Sequence, residues 1–282
     1  MAGVIAREDP SLFTALSALA ADARLVFFAG LPGTGKSLLI HQLAELAHAR
    51  GRTIHLLQWD VARPAFEDSP AGRGYPMERG VTHGVIRLAV GRWARAAVGR
   101  WHVAHPGFDH LLIGETPFIG HRLVELARPA GDEAEKALAG AWTRFVIPVP
   151  SRVLRAHLEA ERARRAREPR HPREREDASP ALLADLWRQL AGADIPYDPA
   201  IYQRTYERLL VRRHAVALPL DRRLPTAGMS VYDLAMPTAD LLPSEDEVSR
   251  AIRDVEAEHG DPAGLQRALD SWHRAPRAAR QR

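Results

Sequence analysis

Gly30, Gly35, Lys36 and Ser37 are spaced as G-x-x-x-x-G-K-[ST] in the segment Gly30-Leu31-Pro32-Gly33-Thr34-Gly35-Lys36-Ser37. That pattern suits one kind of chemistry, the enclosure of a polyphosphate. Glycines permit a turn tight enough for backbone N–H groups to converge on an anion, lysine adds positive charge where terminal phosphates lie, and a serine hydroxyl is an oxygen ligand for Mg²⁺. Lys36 and Lys136 are the only lysines in a chain with 39 Lys+Arg. A lysine inside a glycine-rich loop is therefore not an ordinary solvated surface charge. The expected binding set is Gly30, Pro32, Gly33, Thr34, Gly35, Lys36, Ser37 and Leu38, with Ser37 also on the metal.

Other charged residues fall where they can serve that loop. Glu115 ends an apolar run and stands as a candidate to organise the waters of Mg²⁺, since the carboxyl ends of parallel strands converge on such a site. Arg162, Arg164, Arg165, Arg167, Arg170, Arg173 and Arg175 form the densest cationic stretch, broken by Pro169 and Pro172. Guanidiniums on a mobile segment can close over polyphosphate and stabilise charge on a transferring group; Arg165 and Arg173 are the candidates for that role. His102, His105 and His110 with Asp109 lack a second cluster to complete a metal site, so none is expected there. Neither G-x-S-x-G nor H-E-x-x-H occurs, which removes the serine-hydrolase elbow and the zinc-protease helix.

The elements that must hold these residues alternate. Asp9 and Pro10 open a helix to about residue 21. Residues 24–30 read as a buried strand entering the glycine loop, and residues 36–50 as a helix with Leu39, Leu43 and Leu46 on one face. A second strand at 53–58 stops at Trp59 and Asp60. Residues 61–77 read as a proline- and glycine-rich loop, followed by an amphipathic helix over about 78–100. Strands at 111–113, 144–149 and 214–220 complete a set of five, with helical segments near 118–127, 133–142, 180–190 and 199–211 and another beginning at 151. A proline-rich connector, helices near 244–258 and 262–272 and a basic tail follow. Five strands separated by helices imply a mostly parallel sheet in an αβα sandwich. Residues 1–220 form the expected core, with an insertion over about 60–100 and a lid over about 159–179, and residues 221–282 a C-terminal helical extension.

Composition narrows the setting. The chain of 282 residues is 46% hydrophobic and has no cysteine, which excludes disulfides and thiolate chemistry. No apolar run reaches the length of a membrane span and the first residues do not resemble a signal peptide, so a cytoplasmic location is expected. The formal charge is only +4 because acids are interleaved with the arginines. A solvated mixed surface is the simpler reading, with nucleic acid as a less favoured partner.

On its glycine loop the chain resembles the P-loop NTPase superfamily, which implies ATP and Mg²⁺ as ligands. Guanine-specific branches read their base with Asn-Lys-x-Asp, and this sequence has no asparagine. AAA-type ATPases carry an acid pair where this chain has Gly114-Glu115. The chain is most similar to the nucleoside and nucleotide kinase-like group, which includes adenylate kinase and small-metabolite kinases. The resemblance rests on an insertion at 60–79, the arginines at 162–175 and the segment Arg173-Glu174-Arg175-Glu176-Asp177, and covers about residues 24–220. It implies phosphoryl transfer to a small-molecule or nucleotide acceptor, with Lys36 catalytic, Asp60 accepting a proton or ordering water, and Arg63 pairing with Asp60 or an anionic acceptor. Two rival expectations stay open: a nucleotide-dependent ATPase or switch acting on a partner, and a kinase of nucleic-acid ends.

Overall fold

Leu25–Ala29, the run ahead of the glycine loop, is β1, and every residue in it is buried. A strand buried on both faces needs a sheet covered on both sides, and that is what the computed structural model describes for residues 4–78, 80–168, 179–224 and 237–273. The other strands are β2 (Thr53–Leu57), β3 (His110–Thr116), β4 (Thr143–Pro150), β5 (Ala215–Leu220) and β6 (Thr238–Asp240). They form one six-stranded sheet in the order β5-β4-β1-β3-β2-β6, and every pairing is parallel.

The helices are α1 (Pro10–Asp22), α2 (Lys36–His48), α3 (Trp59–Glu67), α4 (Gly84–Ala104), α5 (Glu133–Leu138), α6 (Arg152–Arg167), α7 (Pro180–Ala191), α8 (Pro199–Leu209), α9 (Glu245–Glu258) and α10 (Pro262–Asp270). Strand alternation divides the core in two. Val26 and Phe28 face α1 and α2 with Leu16, Ile40 and Leu43. Leu25, Phe27 and Ala29 face the opposite layer with Trp59, Phe66, Trp93, Tyr202 and Tyr206. Among the described residues no helix is long and apolar enough to cross a membrane.

Several expectations change, among them the helical segment near 118–127, of which only a three-residue 3₁₀ turn at Val124–Leu126 forms. The sheet has six strands, not five: β6 lies in the segment expected to be a purely helical extension, and it pairs with β2. At three residues between Pro237 and Pro243 it is too short to show a period, and its place is fixed by pairing and by the Leu241 N–H donating to the Leu56 carbonyl. The same segment supplies α9, whose Val248, Ile252 and Val255 are buried in the core layer that contains Trp93 of α4. Residues 59–67, expected mostly as loop, are helical despite Pro64 inside α3. Pro64 leaves one helical hydrogen bond unmade, while the helix's apolar face, Trp59, Ala62 and Phe66, is buried. Finally, α6 continues to Arg167, so Arg162, Arg164, Arg165 and Arg167 belong to a helix. Arg170, Arg173 and Arg175, with most of the loop expected over 168–179, lie outside the described residues.

Candidate functional site

The glycine loop connects the carboxyl end of β1 to α2. In the sheet order, the connection after β1 leaves toward β2 and that after β4 toward β5, so the loop opens at the point where neighbouring strands part company. Open α/β sheets form their binding crevice at such a point. Gly35 caps α2 with φ 85°, and Gly33 has φ 74°; side-chain-bearing residues rarely adopt that region. At Gly30 the constraint is space, since a Cβ there would lie 2.3 Å from the Tyr202 hydroxyl. That hydroxyl accepts a hydrogen bond from the Leu31 N–H at 3.3 Å, and the Tyr206 hydroxyl donates to the Pro117 carbonyl at 3.0 Å. α8 therefore ties down both the loop after β1 and the loop after β3.

Within the described chain, the backbone N–H groups of Gly33, Gly35, Lys36, Ser37 and Leu38 meet no hydrogen-bond acceptor. Helix starts leave such donors over, and here the turn adds to them. Lys36 is buried and its Nζ donates to the Leu31 carbonyl at 2.9 Å, which the Thr34 hydroxyl also contacts at 2.9 Å. Burial pushes the Lys36 ammonium below its ordinary pKa, partly countered by Glu115 and Asp60. Glu115 sits across the strand pair from Phe28. Burial pushes its carboxyl up to about 7, against the pull of Lys36 and with the added repulsion of Asp60. The two charges are thus close enough to feel one another, yet both are held toward their neutral forms by a dry environment.

Lys36, Ser37, Asp60, Glu115, Arg162 and Arg165 line one cavity of about 220 Å³. Leu12, Leu154, Leu158, Leu220 and Leu224 also line it, together with Arg222 and Arg223. The structure therefore brings the glycine loop, Asp60, Glu115 and Arg165 to one cavity. Arg173 lies outside the described residues. Asp60 is in the first turn of α3 and not in a strand-end loop. Arg63 bonds Glu67 one helical turn on, and so is committed away from Asp60.

Several residues of the site were not selected from sequence. Arg155 donates to the Pro32 carbonyl at 3.0 Å and to Glu159 at 2.6 Å, bracing the glycine loop from α6. Its guanidinium and that of Arg162 lie 3.6 and 3.8 Å from where a side chain on Gly33 would begin. Arg155, Arg162 and Arg165 recur at steps of seven and three, which a continuous helix places on one face; the signal is lost if the helix is stopped at residue 159.

A second group of arginines is near enough to Asp60 to feel its charge. Arg122 is partly buried over the Trp59 ring at 5.8 Å and donates to the Ile119 carbonyl at 3.1 Å. Arg87 donates to the Gly120 carbonyl, and its Nε is buried without an acceptor. Neither guanidinium has an acid within ion-pair distance among the described residues. Burial, then the neighbouring Arg87, pushes Arg122 down to about 10, with Asp60 opposing. The loop carrying Arg122 contains Phe118, His121 and Leu123 at φ 57°, 61° and 61°, a conformation that side-chain-bearing residues adopt only where surroundings enforce it.

Compared with protein-family models, curated proteins and solved structures, the chain gives no significant match in any of the three, so the geometry alone carries the functional reading.

Proposed function

We propose that this chain is a P-loop phosphotransferase that moves the terminal phosphoryl group of ATP to a small acceptor bearing negative charge. The observation that carries the reading is the set of unpartnered N–H groups at residues 33–38 around buried Lys36, facing Glu115 at the carboxyl ends of β1 and β3. Amides and an ammonium fixed in place stabilise phosphate charge without reorganising during transfer. The leucines lining the cavity supply apolar surface for a flat base, and Arg222 and Arg223 of the same lining supply donors for its polar groups. Arg162 and Arg165, which line the same cavity from α6, would take up charge developing on the transferring group.

The donor set suits Mg²⁺: the Ser37 hydroxyl and the Glu115 carboxylate are hard oxygen ligands or water-holders, and the ion would bridge and neutralise the outer phosphates. Asp60 is the base for the acceptor hydroxyl. Glu115 is the poorer candidate because its burial favours the protonated form, whereas Asp60 lies toward the second arginine group. Arg87 and Arg122 are two cations with no acidic partner among the described residues, and a carboxylate or phosphate on the acceptor would meet that need.

The test is phosphoryl transfer from Mg-ATP across a panel of neutral and anionic nucleosides, sugars and hydroxy acids, with oligonucleotide ends as a further arm. Transfer is expected to an anionic small molecule, with Lys36→Ala losing at least about 100-fold in kcat, the scale of a lost transition-state charge contact. Arg122→Ala should raise KM for the acceptor and leave KM for ATP in place. Turnover untouched by Lys36→Ala would defeat the assignment, and exclusive transfer to oligonucleotides would replace the acceptor class.

A further inference from the structure

We propose that His55, His105 and His110 form a zinc site at the end of the sheet away from the glycine loop. Each contributes one ring nitrogen, and these nitrogens all lie within 4.8 Å of one another. The sequence alone offers only the pair His105 and His110 with His102 nearby. The fold adds His55, because β2 and β3 pair in the register Thr53↔His110, which sets His55 two positions along on the same face of the sheet.

The three ligands come from three elements: the body of β2, the residue that caps α4, and the first residue of β3. Nε2 of His55 and Nδ1 of His110 are 3.0 Å apart, near the spacing of about 3.4 Å between ligands around tetrahedral zinc. The ring centroids of His105 lie 4.5 Å from His55 and 4.3 Å from His110, so small ring rotations bring the third nitrogen in. Three imidazoles with one open position is a ligand set zinc accepts, the fourth place going to water.

The surroundings hold the ligands in place. Asp109 Oδ2 lies 3.4 Å from Nε2 of His110, the ring nitrogen that faces away from His55; a carboxylate behind a ligating histidine orients the ring and makes it a better donor. Arg24 donates to the carbonyls of His105 and Gly107, fixing the turn that carries His105. Its positive charge opposes a cation, and Asp109 offsets it. Trp101 closes one side, its ring 5.7 Å from that of His55. Glu115 lies five residues along β3 from His110, about 17 Å at strand rise. The site therefore stands apart from the phosphate-binding reading and does not depend on it. Zinc here would pin the end of α4 to the first residues of β3 and to β2.

The alternative occupant of this space is a shared proton, with His55 and His110 simply hydrogen-bonded. Zinc titration of the full chain, after chelator treatment and at fixed neutral pH against a chromogenic competitor, separates the two. The expected result is one tight equivalent in the wild type, weakened at least about 100-fold in His110→Ala and in His55→Gln. His102, whose Nδ1 faces Arg24, lies outside the set, so His102→Ala should bind as the wild type does. Asp109→Asn should weaken binding by about 10–100-fold. Cobalt in place of zinc should give the visible absorption of a tetrahedral site in the wild type and not in His110→Ala. If His55→Gln fails to fold by circular dichroism, the more exposed His110→Ala decides. Zinc held equally by the wild type and His110→Ala, or no equivalent taken up at micromolar zinc, overturns the site.

Discussion

Two charge clusters in this protein reach opposite electrostatic states. Under α4 and α5, Arg95 bonds Asp132 at 2.6 Å and Glu135 at 2.7 Å, and Arg213 bonds Glu135 at 2.7 Å. Burial alone would lower Arg95, but hydrogen bonds with Asp132 and Glu135 carry its pKa above the ordinary value, and hydrogen bonds with Arg95 hold Asp132 below its own. Around the glycine loop, burial pushes Lys36 down and Glu115 up, and among the described residues no carboxylate hydrogen-bonds the lysine, which donates to a carbonyl. A cluster that closes on itself fixes the fold. One that leaves donors and charges unsatisfied is poised for something from outside, because unpaired buried charge costs free energy until a ligand supplies the partner.

Breaking the closed cluster should have the largest effect on stability. Arg95→Ala takes the partner from Asp132, leaves Glu135 with Arg213 alone and removes a donor from the Glu125 and Arg128 carbonyls; it is expected to cost about 3–5 kcal/mol in denaturant unfolding, while ATP affinity of the remaining folded protein, measured by calorimetry, stays as it was. An equal loss of affinity would mean the two clusters are not separate.

Glu115 sharpens the contrast with the opposite sign. Its folded pKa lies above the ordinary carboxyl value, so the folded state binds the proton more tightly than the unfolded state. The associated stability is present below about pH 4.5 and is lost as pH rises to about 7, a difference of about 3 kcal/mol at most. Glu115→Gln should flatten the unfolding free energy over that window. Mg-ATP binding to the wild type near pH 6.5 should also release protons, detected by calorimetry in buffers of different ionisation enthalpy. No release would place the metal away from Glu115.

Smaller effects should separate the α6 arginines. Arg162→Ala, which removes the guanidinium near Gly33, is expected to lower kcat/KM for ATP by roughly 10–100-fold, the scale of a charge-assisted hydrogen bond; Arg165→Ala should lose less. The reverse ranking in steady-state kinetics would shift the role along the helix. Smallest is Ser244→Ala, which breaks the capping box with Glu247 at the start of α9. It should cost about 1 kcal/mol in thermal unfolding and leave nucleotide binding alone.

Much of the fold was legible because its signals are local. The first five strands are short apolar runs bounded by glycine, proline or charge, and the caps at Asp9 and Ser244 are marked by residue type. β6 was not, since three exposed residues carry no hydrophobic pattern. The end of α6 was misjudged because a charged run reads as loop when its arginines are not counted by helical face. Arg63 shows a different limit: its spacing from Glu67, one turn of helix, matters only once residues 59–67 are known to be helical.

By itself the sequence determined the glycine loop between its strand and helix and the parallel α/β class, because glycine conformations and strand burial are properties of neighbours along the chain. Tertiary structure decided which distant side chains share a space: Tyr202 behind Gly30, Arg162 beside Gly33, Arg122 over Trp59, and His55 beside His110. Those pairings depend on strand order and register, which are set by how whole helices and strands pack and are written in no single segment.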